Sequence, residues 1–350
     1  MQEILEIDGA RGGQALRTSL ALSALTGKPF TITEIRATRP NPGLQPQHFT
    51  AVQTLAQICG AEVEGAVSQG KHLTFKPRAV KPSSLLANIG TAGSVTLLLQ
   101  AALLPAMREE IKLRVAGGTD IPFAPPALYF SEVLLPALRK FGARFEFECN
   151  KRGYYPKGNG AISFKSTPVK WPLKAIDFTA LGRLQAIKCH SHCASLPREV
   201  ALNQAKAARQ KLAEFECDWT ATIECLPKSD TLGSGIDLVA CFDNGARLGS
   251  NALGKKGLPA HVVGEEAATK LLQELRSLRP VDRHLCDQLV PFMGLAKGTS
   301  CFNCSEVTEH LLSNIEVTKQ FLGCEAKVEG DLGKPGKVEV KGIAFTPAAP

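Results

Sequence analysis

Residues 310–342, HLLSNIEVTKQFLGCEAKVEGDLGKPGKVEVKG, decide the fold because two other parts of the chain share their pattern. Residues 48–77 read HFTAVQTLAQICGAEVEGAVSQGKHLTFKP, and residues 129–166 read YFSEVLLPALRKFGARFEFECNKRGYYPKGNGAISFKS. Each stretch predicts an amphipathic helix, a glycine that ends it, and two strands joined by a turn. The three terminating glycines are Gly60, Gly142 and Gly323. A repeated pattern of this kind indicates a fold built from repeated units.

A further helix and strand precede each of the three stretches. GGQALRTSLALSALTGKPFTITEIRA leads into the first, GTAGSVTLLLQAALLPAMREEIKLRVAGG into the second, and DRHLCDQLVPFMGLAKGTSCFNC into the third. With a strand before the first helix, such as EILEID near the amino end, each unit becomes βαβαββ and buries one sheet face under two helices. The predicted fold class is therefore α/β, in the α+β sense, with three βαβαββ repeats in a large domain.

The spacing of the glycines predicts an insertion in the third unit. The segment of chain from Gly142 to Gly323 is more than twice as long as the segment from Gly60 to Gly142. The excess has the size of a small domain. The intervening sequence contains the strand-like segments RLQAIKCHSHCA, WTATIECL and GIDLVACFDN and the helix-like segment PREVALNQAKAARQKLAEF. We predict a large domain made of residues 1–182 and 278–350, with a small α/β domain inserted at residues 183–277.

Composition and charge narrow the class of protein. The chain has 350 residues, of which 44% are hydrophobic, and a formal net charge of +8 that favours an anionic partner such as RNA or a nucleotide. No apolar run is long enough to predict a membrane helix. The start, MQEILEIDGARGG, lacks the apolar stretch of a signal peptide. We therefore expect a location in the cytoplasm, or in the nucleus if the source is eukaryotic.

The eleven cysteines are expected to be reduced and mostly buried. In CHSHC, residues 189–193, His190 and His192 alternate with the other three residues, which favours a strand over a zinc site. Cys301 and Cys304 have no matching second pair and no redox-protein helix pattern after them. We place this pair in the strand and turn before the last repeat helix, and the sequence leaves metal ligands undefined.

The repeat aligns three candidate site residues. His310 and Tyr129 precede the glycines of their units by the same spacing, and His48 precedes its own glycine by nearly that spacing. All three are predicted at the start of the second helix of a unit, where free N–H groups favour phosphate. The preceding loop in unit one, IRATRPNPGLQPQH, adds Arg36, Arg39 and Gln47. Because arginine forks suit phosphate oxygens, this loop predicts an anion site rather than a solvated basic surface.

These blocks, with IDGARGGQALRTSLALSALTG, GTAGSVTLLLQ, GGTDIPFAPP, GYYPKGNG, HLCDQL and TEHLLSNI in the same order, resemble the RNA 3′-terminal phosphate cyclase family over nearly the whole chain. The resemblance implies an inserted domain similar to the C-terminal domain of a translation initiation factor. It also implies an RNA-processing ligase that uses ATP and Mg²⁺ or Mn²⁺ to convert an RNA 3′-phosphate to a 2′,3′-cyclic phosphodiester. A histidine would take AMP from ATP and pass it to the RNA, whose 2′-hydroxyl would then displace AMP.

The resemblance also assigns residues. His310 matches the nucleophilic histidine. Pro125 and Tyr129 match the place where adenine is packed, and His284 holds a position that often carries a stacking aromatic. The phosphate- and RNA-binding positions of the family match Arg17, Arg36, Arg39, Gln47 and His48. Its ATP-binding positions match Gln100, Pro125, Tyr129, His284, Asp287 and Gln288.

One departure keeps an alternative function open. The family reads Asp-Gly-x-x-x-Glu-Gly-Gly-Gly-Gln, whereas residues 8–14 read DGARGGQ, so the glutamate that helps at the metal and ATP is missing. Arg11 in this shortened loop cannot bind a cation. The alternative is a non-catalytic cyclase-like protein that binds RNA or a ribosome-assembly partner, which the missing glutamate favours and His310 disfavours. An enolpyruvyl-transferase-like enzyme would share the repeats but not these blocks. The physiological RNA, the preferred metal and the oligomeric state stay open.

Overall fold

A computed structural model of the chain describes residues 3–10 and 12–348 and contains three βαβαββ units, which confirms the predicted fold class. The elements of unit one are β1 (Leu5–Asp8), α1 (Gly13–Thr26), β2 (Phe30–Thr33), α2 (Pro46–Cys59), β3 (Glu62–Glu64) and β4 (Leu73–Lys76). Their sheet has the order β1-β2-β4-β3. The first pair is parallel and the other two are antiparallel.

Unit two repeats this topology. Its elements are β5 (Ser83–Asn88), α3 (Val95–Ala106), β6 (Ile111–Gly117), α4 (Ala127–Tyr129), a π-helical segment (Phe130–Leu134), α5 (Leu135–Lys140), β7 (Arg144–Lys151) and β8 (Gly160–Thr167). The sheet order is β5-β6-β8-β7. The second helix of this unit thus contains a π-helical turn, a feature that is often found at functional sites.

A fourth sheet follows the first strand of unit three, β9 (Asp177–Phe178). The elements of this part are β10 (Leu184–Ala194), α6 (Arg198–Lys211), β11 (Asp218–Leu226), β12 (Gly233–Phe242), β13 (Arg247–Leu253) and α7 (Ala260–Arg276). Its strand order is β11-β10-β12-β13, and Leu238, Leu248 and Leu271 belong to a hydrophobic cluster of its own. Neither β13 nor α7 was predicted from the sequence. The division into domains at residues 183 and 277 stays a prediction, and we call residues 183–277 the predicted insert.

Unit three then continues after the predicted insert. Its remaining elements are α8 (Cys286–Leu295), β14 (Lys297–Cys304), α9 (Glu309–Leu322), β15 (Glu325–Glu329) and β16 (Gly336–Ile343). The order β15-β16-β14-β9 is again that of the other two units. The extra sheet therefore lies between the first strand and the first helix of this unit, which explains the late third glycine.

One cluster of buried apolar side chains runs through the three units. The ring of Phe30 packs edge-on to Phe321 with centroids 5.9 Å apart, and Phe141 lies 5.8 Å from Phe292, so units one and two both pack against unit three. Helix α1 contacts α3 and α9, and α8 contacts α9. This packing brings together the helices that carry most of the predicted site residues.

Several local predictions are confirmed. Gly60, Gly142 and Gly323 have φ angles of 61°, 102° and 68°, the left-handed region that glycine adopts without strain. The CHSHC stretch lies in β10, and Cys301 and Cys304 lie in β14. All eleven cysteines are in the described part of the chain and are free thiols.

Within residues 3–10 and 12–348, no helix has both the length and the apolar character needed to cross a membrane. The location in the cytoplasm or nucleus stays a prediction. Arg11 of the shortened loop is outside the described residues, so its expected inability to bind a cation also stays a prediction.

Candidate active site

One buried side chain, Asn314 of α9, joins three helices that carry predicted site residues. Its side chain is 1% exposed. Its Oδ1 accepts a hydrogen bond of 2.7 Å from the Thr18 hydroxyl of α1, and its Nδ2 donates to the Asp287 carbonyl of α8 at 2.8 Å. Arg17 precedes Thr18, and His310 lies one helical turn before Asn314. Asn314 therefore fixes Arg17, Asp287 and His310 relative to one another.

His310 lies in the first turn of α9, as the repeat predicts. The Thr308 hydroxyl caps this turn by accepting a hydrogen bond of 3.1 Å from the Leu311 N–H. The His310 side chain is open to solvent, yet nearby protein atoms and then the charges of Arg17 and Arg39 lower its pKa below the usual 6.5. A lowered pKa keeps the imidazole neutral near pH 7, which is the form that can act as a nucleophile.

Arg17 presents a buried nitrogen without a protein partner. One of its terminal nitrogens donates to Gln14 Oε1, but its Nε has no hydrogen-bond acceptor among the described residues. Burial lowers the pKa of Arg17 to about 10, with Asp287 opposing this shift and Arg36 adding to it. The guanidinium lines a cavity of about 30 Å³, which holds about one water molecule. A buried donor of this kind suits an oxygen atom of a ligand.

His48 is buried against the start of α1. The Gln45 backbone N–H donates to its Nδ1 at 3.2 Å, so in the neutral ring the proton is on Nε2. Nε2 lies so close to the position of a Cβ at residue 13 that any residue other than glycine there would require the His48 ring to move. Burial, followed by the charges of Arg17 and Arg36, lowers the pKa of His48 to about 3. His48 is therefore a neutral hydrogen-bond donor beside the first turn of α1.

Arg36 and Arg39 lie on the loop before α2. Arg36 has a left-handed φ of 56°, its backbone N–H donates to the Gly9 carbonyl at 2.8 Å, and its guanidinium contacts the Asn41 carbonyl. The guanidinium of Arg39 lies so near Gly12 that a Cβ there would be 3.3 Å from one terminal nitrogen. The shortened loop after β1 thus bonds the backbone of Arg36 through the Gly9 carbonyl and leaves room for the Arg39 guanidinium at Gly12.

Three glutamines connect helices around these charges. Gln47 Oε1 accepts a hydrogen bond of 2.7 Å from the Ser94 N–H at the N-cap of α3. Gln100 Nε2 donates to Gln288 Oε1 at 2.7 Å, and Gln288 Nε2 donates to the His284 carbonyl. The structure therefore places Gln47, Gln100 and Gln288 as links between α2, α3 and α8.

Asp287 is a buried carboxylate next to Arg17. Burial raises its pKa to about 7, with Arg17 opposing the shift and Asp282 adding to it. The pKa of His284, on the same helix start, is lowered by burial, while Asp282 acts in the opposite direction. Two predicted nucleotide-site residues near the start of α8 thus have pKa values that are shifted from their ordinary values, as is frequent at functional sites.

Asp282, which the sequence analysis missed, holds the start of α8. One of its oxygens accepts hydrogen bonds from the Tyr129 hydroxyl at 2.6 Å and from the N–H groups of His284 and Leu285 at 2.9 Å. The other oxygen accepts from the Gly249 N–H of the predicted insert at 3.0 Å. An aspartate shortly before a helix is a recognisable capping signal, and it could have identified this residue.

Tyr129 is 5% exposed, and its ring is edge-on to His284 with centroids 6.3 Å apart. It also packs against Gly249, where a Cβ would be 2.6 Å from the ring. The carbonyl of half-buried Pro125 accepts a hydrogen bond of 2.6 Å from the Thr96 hydroxyl. The structure thus gives Tyr129 a positioning contact with His284, and adenine packing at Pro125 and Tyr129 stays a prediction.

Asn314→Ala is expected to lower the free energy of unfolding by about 1–3 kcal/mol, because the buried Thr18 hydroxyl and Asp287 carbonyl lose their partner. Urea unfolding of the two proteins measures the difference. Glu316→Ala, at an exposed position of the same helix, is the matched control and should change little. Equal stability of Asn314→Ala and wild type would contradict the linking role.

Tyr129→Phe is expected to destabilise the protein by about 1.5–3 kcal/mol, because the buried Asp282 carboxylate loses a hydroxyl donor while the ring is kept. Thermal unfolding compares it with Tyr155→Phe, which removes a hydroxyl from an exposed side chain. If both substitutions shift the unfolding midpoint equally, the Asp282 contact does not contribute as proposed.

The chain is similar to known proteins over nearly its whole length. A family model described as RTC: RNA 3'-terminal phosphate cyclase matches residues 8–328. The chain is 44% identical to the RNA 3'-terminal phosphate cyclase of Desulfurococcus amylolyticus, over 98% of this chain and 99% of the relative. It is 46% identical to the Thermococcus onnurineus protein of the same name, over 95% of this chain and 97% of the relative. The Pyrococcus abyssi protein of that name is 43% identical, over 96% of this chain and 98% of the relative.

Proposed function

Because the chain belongs to the RNA 3′-terminal phosphate cyclase family, we propose that it is an enzyme that converts RNA 3′-phosphate ends to 2′,3′-cyclic phosphodiesters with the use of ATP. One observation carries the proposal for this chain. His310 lies at a helix start, where nearby protein atoms and then the charges of Arg17 and Arg39 lower its pKa. A neutral imidazole beside two guanidinium groups suits attack on a phosphorus atom whose oxygens carry negative charge.

The reaction proceeds in three displacements. A ring nitrogen of His310 attacks the α-phosphorus of ATP, the bond to the β-phosphate bridge breaks, and pyrophosphate leaves. An oxygen of the RNA 3′-phosphate then attacks the same phosphorus, and His310 leaves. Finally the RNA 2′-hydroxyl loses its proton and attacks the terminal phosphorus of the RNA, which expels AMP and closes the cyclic diester. Adenylation is needed because a terminal phosphate has no good leaving group.

The cationic side chains would hold the phosphates. The unpartnered Nε of Arg17 would donate to a phosphate oxygen, and the guanidinium groups of Arg36 and Arg39 add positive charge. Neutral His48 would act as a donor rather than as a charge. Gln100 of α3 would hold the nucleoside together with His284, Asp287 and Gln288 at and before the start of α8.

The described residues fit a metal ion that is carried mainly by the nucleotide. No group of three potential metal ligands forms around His310 in residues 3–10 and 12–348. Exposed Asp8 precedes Gly9, whose carbonyl anchors Arg36, and is a candidate carboxylate ligand. Because Mg²⁺ commonly uses one or two carboxylates together with substrate phosphates, Asp8 and the phosphates of the nucleotide would be its ligands. When bound, Mg²⁺ or Mn²⁺ would neutralise charge on the phosphates.

The proposed function is tested by incubating the full chain with α-labelled ATP and either Mg²⁺ or Mn²⁺. We expect acid-labile label on the protein, release of pyrophosphate, and discharge of the label when a 3′-phosphorylated RNA is added. The RNA product should carry a cyclic end that resists phosphatase. Absence of label with both metals, in a protein that still binds the RNA, would instead favour the non-catalytic RNA-binding alternative.

A further inference from the structure

A second group of titratable side chains lies where unit two meets the predicted insert. Asp120 follows β6, whereas His192 and Asp237 lie on the neighbouring strands β10 and β12. All three side chains are buried, with 1%, 1% and 3% exposure in that order. The proposed reaction uses none of them.

The donor atoms have the spacing of metal ligands. His192 Nε2 is 3.3 Å from Asp237 Oδ2 and 3.5 Å from Asp120 Oδ1, and all three donor atoms lie within 4.8 Å of one another. Ligand atoms that bind one tetrahedral ion at about 2.0–2.2 Å are roughly 3.3–3.5 Å apart. The three atoms therefore need little movement to coordinate one ion.

The surrounding contacts orient these donors as in a metal site. The Tyr154 hydroxyl oxygen lies 2.7 Å from His192 Nδ1, so it can accept a hydrogen bond from Nδ1–H and leave the lone pair of Nε2 free to coordinate. The Thr119 hydroxyl donates to Asp120 Oδ2 at 2.7 Å. Arg152 donates to Asp120 Oδ1 at 2.8 Å, which leaves that oxygen a second lone pair.

The charge at this place is unbalanced without a cation. Asp120, Asp237 and Glu224 supply three carboxylates and Arg152, bonded to Asp120 and Glu224, supplies one guanidinium, a formal net charge of −2 with neutral imidazoles. The two ligand carboxylates are buried, whereas Glu224 is partly exposed and also bonds His190. Buried charge that is not compensated is costly. One divalent ion would neutralise the group.

We propose that Asp120, His192 and Asp237 bind one divalent transition-metal ion, such as Zn²⁺ or Mn²⁺, that joins unit two to the sheet of the predicted insert. Imidazole and carboxylate are ligands that these ions accept. The strand assignment of CHSHC stands, and the ligand set uses only one residue of that stretch, together with carboxylates from two other elements. This site does not depend on the proposed catalytic function.

The test uses Co²⁺ as a spectroscopic probe on the full chain, after chelator dialysis and without ATP, so that no nucleotide-carried metal contributes. We expect about one bound equivalent with visible d–d bands, no strong near-ultraviolet thiolate band, and a rise in the unfolding midpoint of about 3 °C or more. The measurement of the unfolding midpoint is repeated with Zn²⁺ and with Mn²⁺.

Asp237→Asn keeps the shape of a ligand but removes its charge, and it should lose the bound Co²⁺ and the rise in midpoint. Asp218→Asn, at an exposed position of the same sheet, is the matched control and should keep both. Cys225→Ser tests the neighbouring thiols, since Cys193 Sγ and Cys225 Sγ are 3.4 Å apart, and it should also bind normally. If Asp237→Asn does not fold, His192→Gln replaces it.

Three results would overturn the proposal. The first is no bound Co²⁺ and no rise in midpoint with any of the three ions. The second is a spectrum dominated by thiolate bands that Cys225→Ser removes. The third is unchanged binding in folded Asp237→Asn or His192→Gln. In each case His192 would instead serve as a direct hydrogen-bond partner of the two carboxylates.

Discussion

His310→Ala is expected to reduce the transfer of label from α-labelled ATP to the protein by about 10³-fold or more, to background. The substitution removes the ring nitrogen that would form the bond to phosphorus. Because His310 is open to solvent at a helix start, the shortened side chain should leave folding intact. Cyclisation of a 3′-phosphorylated RNA should fall together with the label, because the RNA can be adenylated only by AMP that is bound to His310.

His72→Ala is the control for this result, because His72 is exposed on the surface of unit one and should label normally. The pH profile adds a second readout. Labelling needs the unprotonated ring, so the rate should fall as pH decreases through the pKa of His310. Since that pKa lies below 6.5, the wild type should still label well at pH 6.5. Retained acid-labile label in His310→Ala would contradict the assignment of the nucleophile.

Arg17→Gln is expected to lower the rate of labelling by about 10²–10³-fold, the usual effect of removing one donor that stabilises developing charge. The reason is the buried Nε, which has no described protein partner and would bond a phosphate oxygen. Arg17→Lys should also be impaired, because an ammonium group cannot reproduce the fork of a guanidinium. Single-turnover labelling at saturating ATP measures the effect on the chemical step.

The pH profile of the residual labelling by Arg17→Gln distinguishes direct charge coupling from a purely structural role of Arg17, because a structural role would leave that profile unchanged. Arg17 lowers the pKa of both His310 and His48. Its removal should therefore raise the pKa of His310 and shift the pH profile of labelling to higher pH. Arg78→Gln, which removes an exposed guanidinium paired with Glu62, should alter neither the rate nor the profile. An unshifted profile in Arg17→Gln would argue against direct charge coupling to His310.

The repeated units could be predicted because their signals are local. Helix periodicity, terminating glycines and strand alternation recur at matched positions, and the altered spacing before Gly323 reveals the extra segment. The strand β13 was missed because its Gly249 and Asn251 are weak strand formers, whereas the helix α7 could have been predicted from Val263, Ala267 and Leu271 at helical spacing. Helix starts at His48, Tyr129 and His310 followed from the same alignment.

The contacts that assemble the site could not be predicted in the same way. Asn314 bonds a hydroxyl 296 residues away in the sequence, and Asp282 bonds Tyr129 across 153 residues. No periodicity encodes which distant polar groups pair, because pairing depends on how the units pack. The burial of His48 likewise depends on Gly13, whose missing side chain leaves room for the ring.

The four hydrogen bonds of Asp282 bear on efforts to shorten this protein. Its carboxylate is shared between unit two, the start of α8 and the N–H of Gly249. Deleting residues 183–277 would therefore remove a donor from a buried charge and uncover the ring of Tyr129. A minimal version of the protein would need a substitute for Gly249 at that position, and a simple linker between the cut ends would not provide it.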